Sequence, residues 1–209
     1  MNYKRFPLGA LWTNGYLFWD DEKRAFFVDP GGDASEVVDF LERNGLSLES
    51  VLLTHGHLDH IAGIENLVSL VGENIYIAKK DAPLLKDPPE EMQAALNMKC
   101  NGVSSFKTVD DGDRLSVGEM EIIVLATPGH TPGSVCYLVR QGDETILISG
   151  DTLFAQSVGR TDLPGGDSAM LDESLKKLSA LPDGLSVLPG HGPATSIASE
   201  RKHNPFWPE

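Results

Sequence analysis

Short apolar runs alternate with amphipathic stretches along the chain, and Gly, Pro, Asn and Asp separate them. Eight of the apolar runs have four to seven residues and are rich in Val, Ile, Leu or aromatic side chains, a composition typical of β-strands. The predicted strands are residues 13–19, 25–29, 50–54, 75–78, 121–126, 134–139, 145–148 and 185–188.

Helical patterns lie between these strands. The first helix is predicted to begin at Asp33, which is an N-cap candidate with Glu36 three residues later, and to end near Asn44 and Gly45. The other predicted helices are residues 61–71, 89–98, 167–178 and 197–203. Because the strands fall in two groups with helices between them, we expect a layered α/β protein with two sheets inside and helices outside.

Length and composition narrow the class of protein. The 209 residues suit one domain, and no apolar run approaches the roughly 20 residues that cross a bilayer. A formal net charge of −14 argues against a nucleic-acid partner, because phosphate backbones are bound mainly through Lys and Arg. Cys100 and Cys136 form no CxxC pair, so we expect two free thiols and a cytoplasmic protein without a signal peptide or membrane segment.

Candidate chemistry begins in the segment VLLTHGHLDH, residues 51–60. Side chains alternate along an extended chain, so His55 and His57 are expected to point the same way and to share a metal ion, with a tight turn at Gly56. Asp59 and His60 follow where the chain bends into the next helix, and we expect them to face a neighbouring point. This pattern indicates two adjacent cations.

Three further polar residues follow apolar strands in the same manner. His130 lies in ATPGHTPGS, Asp151 in ILISGDTLF and His191 in VLPGHGP. Loops at strand ends of a rigid scaffold are a common place for functional sites. The candidate metal ligands are therefore His55, His57, Asp59, His60, His130, Asp151 and His191.

Seven imidazole and carboxylate groups exceed the four ligands of one tetrahedral ion, and they include no thiolate. We therefore expect two divalent metal ions bridged by a carboxylate, zinc in the first place, with iron or manganese as alternatives.

The motifs THGHLDH, TPGHTPGS, GDTLF and PGHGP occur in this order and resemble those of the metallo-β-lactamase fold superfamily over nearly the whole chain. Within it, the chain is similar to glyoxalase II-like hydrolases, because Asp151 stands where true metallo-β-lactamases tend to place a cysteine. The C-terminal Glu200, Arg201 and Asn204, followed by Pro-Phe, resemble the end of the shorter, single-domain members of that subgroup.

The resemblance implies a four-layer αβ/βα sandwich of two mixed β-sheets with helices outside. It implies hydrolysis of a thioester, such as S-lactoylglutathione, by a hydroxide that bridges two metal ions, and it weighs against antibiotic hydrolysis. It also implies one metal on His55, His57 and His130, the other on Asp59, His60 and His191, and Asp151 as the bridge. Asp59 and Asp151 are then the expected catalytic carboxylates, and Asp59 is a candidate proton source for the departing thiolate.

The segment SVGRTDLPGGD, residues 157–167, leaves two interpretations open. Arg160 and Asp162 either brace the loop as a local ion pair or face the substrate, where Arg160 would attract a carboxylate. The same GRTD segment resembles that of persulfide dioxygenases, which implies a rival function with a single iron on His55, His130 and Asp151. A third hypothesis is a metal-binding protein that keeps the fold without catalysing a reaction.

Overall fold

The computed structural model of the protein describes residues 1–208 and contains two six-stranded mixed sheets. The first sheet is formed, in spatial order, by β1 (Asn2–Leu8), β2 (Thr13–Trp19), β3 (Arg24–Val28), β4 (Ser47–Leu52), β5 (Ile75–Ala78) and β6 (Lys107–Val109). Strands β1 to β3 are antiparallel neighbours, whereas β3 to β6 run parallel.

The second sheet uses the C-terminal half of the chain. Its strands are β7 (Arg114–Val117), β8 (Met120–Ala126), β9 (Val135–Gln141), β10 (Glu144–Gly150), β13 (Ser186–Pro189) and β14 (Thr195–Ser196), in this spatial order. The pair β10 and β13 is parallel, and the other pairs are antiparallel. A separate small hairpin is formed by β11 (Leu153–Phe154) and β12 (Ser157–Val158).

Seven helices are present among the described residues. They are α1 (Ser35–Asn44), α2 (Leu58–Ile61), α3 (Ile64–Val71), α4 (Ala82–Lys86), α5 (Glu90–Leu96), α6 (Ser168–Ser179) and α7 (Ile197–His203). None of these helices has the length and apolar character needed to cross a membrane.

Both faces of each sheet are buried, so the core has three parts. On β2, Tyr16 and Phe18 pack between the two sheets, whereas Leu17 points outward and packs with residues of α1 and α3. On β9, Tyr137 lies between the sheets and Leu138 packs against α6. The alternation places one layer of helices on each outer face, which confirms the four-layer sandwich of two mixed sheets. Cys100 and Cys136 are buried free thiols, as predicted.

The strand predictions hold for all eight apolar runs, with exact bounds for residues 13–19 and 75–78 and shifts of up to three residues elsewhere. The unpredicted strands β1, β6, β7, β11, β12 and β14 are short or carry polar and exposed positions. Strand β1 lies at a sheet edge and contains Pro7, and edge strands of this kind lack a continuous apolar run.

Three helix predictions need correction. Asp33 is not the N-cap of α1; Ala34 has that position, and Asp33 instead accepts hydrogen bonds from the amide and hydroxyl of Ser35. The helix predicted at residues 61–71 is two helices, because Gly63 leaves the helical path and donates its amide to Pro30 O at 2.7 Å. The helix predicted at 89–98 ends earlier, where Asn97 takes a left-handed φ of 50°.

Candidate metal centre

All seven predicted ligands converge at one end of the sandwich, where the loops after β4, β8, β10 and β13 meet. The sequence expectation placed Asp59 and His60 just before a helix, whereas both lie in the first turn of α2. This short helix is buried, so its backbone holds the two side chains beside the loop that carries His55 and His57.

Six of the predicted ligands form two groups of three, and the carboxylate of the seventh, Asp151, lies close to both groups. His55, His57 and His130 make the first group, Asp59, His60 and His191 the second, and within each group the ligand atoms lie within 4.8 Å of one another. In the first, His130 Nε2 and His57 Nδ1 are 2.9 Å apart. In the second, His191 Nε2 lies 3.3 Å from both His60 Nε2 and Asp59 Oδ2.

Asp151 lies between the two groups. Its Oδ1 is 3.4 Å from His60 Nε2, and its Oδ2 is 3.5 Å from His191 Nε2 and 3.6 Å from His130 Nε2. The carboxylate therefore faces nitrogen atoms of both groups at once, as a bridging ligand must.

Hydrogen bonds on the far side of the imidazole rings orient several of them. His60 Nδ1 donates to Asp29 Oδ2 at 2.9 Å, and His130 Nδ1 donates to Arg160 O at 2.8 Å. Thr54 Oγ1 donates to Asp29 Oδ2 at 2.6 Å and accepts from His55 Nδ1 at 3.1 Å. When such a ring is neutral, its lone pair is on Nε2 and faces the centre, the usual way in which outer partners orient a histidine for a metal.

Unsatisfied buried atoms show that a cation fits between these residues. His55 Nε2 and Asp151 Oδ1 are buried and make no hydrogen bond with the described residues. Burial and neighbouring imidazoles, His60 foremost, lower the pKa of His55 well below its usual range. Burial and His130 lower the pKa of His57 to about 4. Both rings are therefore neutral at neutral pH, the form that binds metals.

The second group has the opposite electrostatics. Burial opposes the charge of His60, but Asp151, Asp29 and Asp59 raise its pKa well above the usual value. Burial likewise opposes the ionisation of Asp59, yet His60 and His191 keep its pKa far below the ordinary range. The carboxylates of Asp29, Asp59 and Asp151 thus favour positive charge at this group, for which protons compete with a divalent cation.

Two buried aspartates outside the predicted motifs, Asp29 and Asp81, hold the ligand loops. Asp29 accepts from Thr54 N at 2.8 Å besides its bonds to Thr54 Oγ1 and His60. Asp81 accepts from Gly56 N, Gly133 N and the Thr131 hydroxyl, and so joins the loop of His55 and His57 to the loop of His130. Both aspartates follow an apolar strand closely, which is the signal that identified Asp151.

The loop that carries His191 is fixed from the first sheet. Asn14 donates its side-chain amide to Pro189 O and Gly192 O, both at 2.9 Å, and the hydroxyl of Tyr16 donates to Pro189 O at 2.9 Å. In the same loop, a Cβ on Gly190 would overlap Asp151 Oδ1 and lie 2.7 Å from His60 Cε1. Glycine is required there because the backbone passes directly against two predicted ligands.

Arg160 and Asp162 form a bidentate ion pair, as one of the two interpretations predicted. Arg160 Nε donates to Asp162 Oδ1 and Arg160 Nη2 to Asp162 Oδ2, both at 2.7 Å, and both side chains are exposed. The backbone carbonyl of Arg160 also positions His130, so this loop braces the centre. Contact with substrate stays a prediction. Thr127 and Thr131, on either side of His130, make their side-chain hydrogen bonds away from the imidazoles: Thr127 bonds to Thr152 and Cys136, and Thr131 bonds to Asp81 and Ser134.

Comparison with known proteins identifies the family. The sequence model of the protein family described as the metallo-beta-lactamase superfamily matches residues 8–191 of this chain. The chain belongs to this superfamily. The predicted resemblance is thereby confirmed, and membership supports a metal-dependent hydrolase with a divalent metal site in the His and Asp cluster.

Among superfamily members, three show the extent of similarity. The Haemophilus influenzae protein named hydroxyacylglutathione hydrolase GloC is 35% identical, over 99% of this chain and 98% of its own length. The crystal structure of the B3 metallo-beta-lactamase BLEG-1 is 37% identical with a TM-score of 0.90, and the coverage is 100% of both chains. TTHA1623, solved in a di-iron-bound form, is 34% identical with a TM-score of 0.87, covering 97% of this chain and 99% of that one.

Proposed function

We propose that this protein is a two-metal hydrolase of the glyoxalase II type, which cleaves a thioester such as S-lactoylglutathione into a thiol and a hydroxy acid. The position of Asp151 carries the proposal, because one carboxylate faces His60, His130 and His191 at 3.4–3.6 Å. The second ligand group beyond that carboxylate supports two ions over the single iron of the rival function. The similarity to GloC supports the choice of a thioester.

Divalent cations held by the two groups would lower the pKa of a bound water to about 7 and polarise the carbonyl of the substrate. The residues of the chain would hold the cations and orient the groups that bind them. Asp59 is ionised at neutral pH, since His60 and His191 lower its pKa despite burial. It therefore serves as a ligand and is not in the protonated form that a general acid needs. The departing thiolate needs little protonation, so this absence of an acid is compatible with a thioester substrate.

Zinc is the proposed metal in both positions, because imidazole and carboxylate ligands suit it. Iron suits the same donors, and the di-iron form of TTHA1623 is a reason to measure the metal directly.

The test is metal analysis of protein purified without added metal, paired with three assays. We expect about two metal ions per chain and hydrolysis of S-lactoylglutathione, without uptake of oxygen in the presence of glutathione persulfide and without cleavage of a chromogenic cephalosporin. Asp151→Asn should lose most of the hydrolysis and one of the two metals, because an amide does not bridge two cations. Asp143→Asn, at an exposed aspartate in a surface turn, is the matched control and should change neither quantity.

One iron per chain with oxygen uptake would overturn the proposal in favour of the persulfide dioxygenase alternative. Two metals without turnover of any thioester would favour the metal-binding protein that lacks catalysis.

A further inference from the structure

We infer that an apolar cavity beside His57 binds the acyl group of the substrate and selects short, unbranched aliphatic acyl groups over the lactoyl group; this inference rests on the proposed thioester hydrolysis. The cavity has a volume of about 350 Å³, near the lower end of the range of about 300–1,000 Å³ for small-molecule sites. His57 of the first ligand group lies in its wall, so a group bound there reaches the metal centre.

The walls of the cavity come from three elements. Leu84 of α4 together with Met92 and Ala95 of α5 form one side, and Leu163 and Pro164 form another. The two latter residues follow the Arg160 and Asp162 pair, and the same loop fixes His130 through its backbone. The cavity is thus attached to the loop that orients the metal centre, which gives a bound acyl chain a fixed position relative to the ligands.

The lining disfavours an anionic occupant. Seven of the ten lining residues are apolar, and none of the ten is Lys or Arg. Glu91, besides His57, brings the one ionisable side chain, and its charge is negative. Biological thiol carriers bear carboxylates or phosphates, which need cationic or amide partners. The carrier therefore remains outside this cavity, and the acyl half of the thioester occupies it.

The lactoyl group fits this lining poorly. The lactoyl group has three carbons and a hydroxyl. Burial of the hydroxyl against the apolar wall is unfavourable, because His57 and Glu91 carry the lining's only side chains that can form a hydrogen bond with it. An aliphatic chain instead gains with each methylene that leaves water. At about 0.8 kcal/mol per methylene, we expect kcat/KM to rise about fourfold per added carbon until the cavity is full.

The experiment uses the metal-loaded full chain and thioesters of one small neutral thiol, N-acetylcysteamine, with release of the thiol as the signal. Acetyl, butanoyl, hexanoyl and lactoyl esters vary the acyl side, and acetyl esters of alkyl thiols of increasing length vary the other side. Calorimetric titration with S-ethyl and S-hexyl thioethers of the same thiol reports binding without hydrolysis. We expect kcat/KM for hexanoyl to exceed that for acetyl and lactoyl by roughly 50-fold or more.

Two neighbouring alanines on α5 provide the variants. Ala95→Phe fills the cavity from an exposed position, and Ala94→Phe adds the same side chain at an exposed position outside the lining. Ala95→Phe should reduce the hexanoyl advantage and the S-hexyl affinity at least tenfold, with little change for the acetyl ester. Ala94→Phe should leave both unchanged.

The outcomes separate the inference from the proposed function. Hydrolysis of all thioesters without dependence on acyl length, or with dependence on thiol length instead, overturns the acyl assignment and leaves thioester hydrolysis standing. If the S-hexyl thioether binds tightly and Ala95→Phe abolishes this binding, the cavity is supported as an aliphatic site. If in the same experiment no thioester is cleaved, the proposed reaction is overturned. Equal affinity for S-ethyl and S-hexyl compounds overturns the cavity assignment whatever the activity.

Discussion

Replacement of Asp81 by Asn tests whether outer hydrogen bonds hold the first ligand group together. Asp81 is fully buried and accepts three hydrogen bonds, from Gly56 N at 2.9 Å, Thr131 Oγ1 at 2.7 Å and Gly133 N at 2.8 Å. Gly56 lies between His55 and His57, and the other two donors follow His130. Asp81 therefore connects the two loops that carry the first ligand group through hydrogen bonds.

The cost of the change follows from counting donors. Asn keeps one oxygen, which can still accept from Gly56 and Thr131, but its amide nitrogen then faces the amide of Gly133. One charge-assisted hydrogen bond is lost, and it contributes about 1.5–3 kcal/mol. The two that remain become neutral and weaker, so the total loss is about 2–4 kcal/mol. That loss is smaller than the roughly 5–15 kcal/mol that stabilises a typical folded protein, so the variant should fold.

The assays are thermal unfolding and metal titration by calorimetry. For a chain of this size, about 3 kcal/mol corresponds to a decrease in Tm of roughly 6–12 °C. Metal affinity should fall about 10- to 100-fold, which is the usual effect of losing an outer-shell partner. Asp143→Asn, at an exposed position, serves as control and should alter neither. A Tm within 1 °C of the parent together with unchanged metal affinity would refute the argument that Asp81 positions the ligand loops.

Two further predictions concern the second ligand group. Gly190→Ala should weaken metal binding at least tenfold, because the new Cβ would overlap Asp151 Oδ1. The control is Gly184→Ala, which should leave metal binding unchanged because no atom lies within 4 Å of its new Cβ. Equal metal-titration curves for the two variants would contradict this prediction. Metal affinity should increase as pH rises through neutrality, because nearby carboxylates raise the pKa values of His60 and His191 and these rings must lose protons to bind a cation. Calorimetry in buffers of different ionisation enthalpy measures the released protons, and an enthalpy that is independent of the buffer would show that the rings bind metal without losing them.

The sandwich was predictable because its central strands are apolar on both faces. Residues 13–19 and 75–78 carry enough consecutive Leu, Ile and aromatic side chains to be recognised alone. Strand β1 was not recognisable, since an edge strand buries only some of its side chains and this one contains Pro7. The break between α2 and α3 was also hidden, because its cause is the approach of Gly63 to the backbone of Gly32, a residue 31 positions away in the sequence.

The seven residues that cluster at the site were predicted from their local sequence context, whereas their hydrogen-bonding partners were not. All seven follow the end of a strand, so a short motif was sufficient to identify them. Asp29 has the same context, yet its sequence, Asp-Pro-Gly-Gly, is typical of a turn. Only the three-dimensional arrangement shows that this carboxylate is buried and lies against the Thr54 hydroxyl and His60. Partners of this kind depend on which loops meet, and a motif does not contain that information.

The position of Asp29 bears on how the two ligand groups act together. Through Thr54 it orients His55 of the first group, and through a direct hydrogen bond it orients His60 of the second. Asp29 has a left-handed φ of 53°, a conformation that Asp adopts more readily than most residues. One rigidly held carboxylate behind the rings and Asp151 between them thus fix the spacing of the two groups. Because contacts within the protein hold the ligand rings and loops, the energy of metal binding is not needed to orient them.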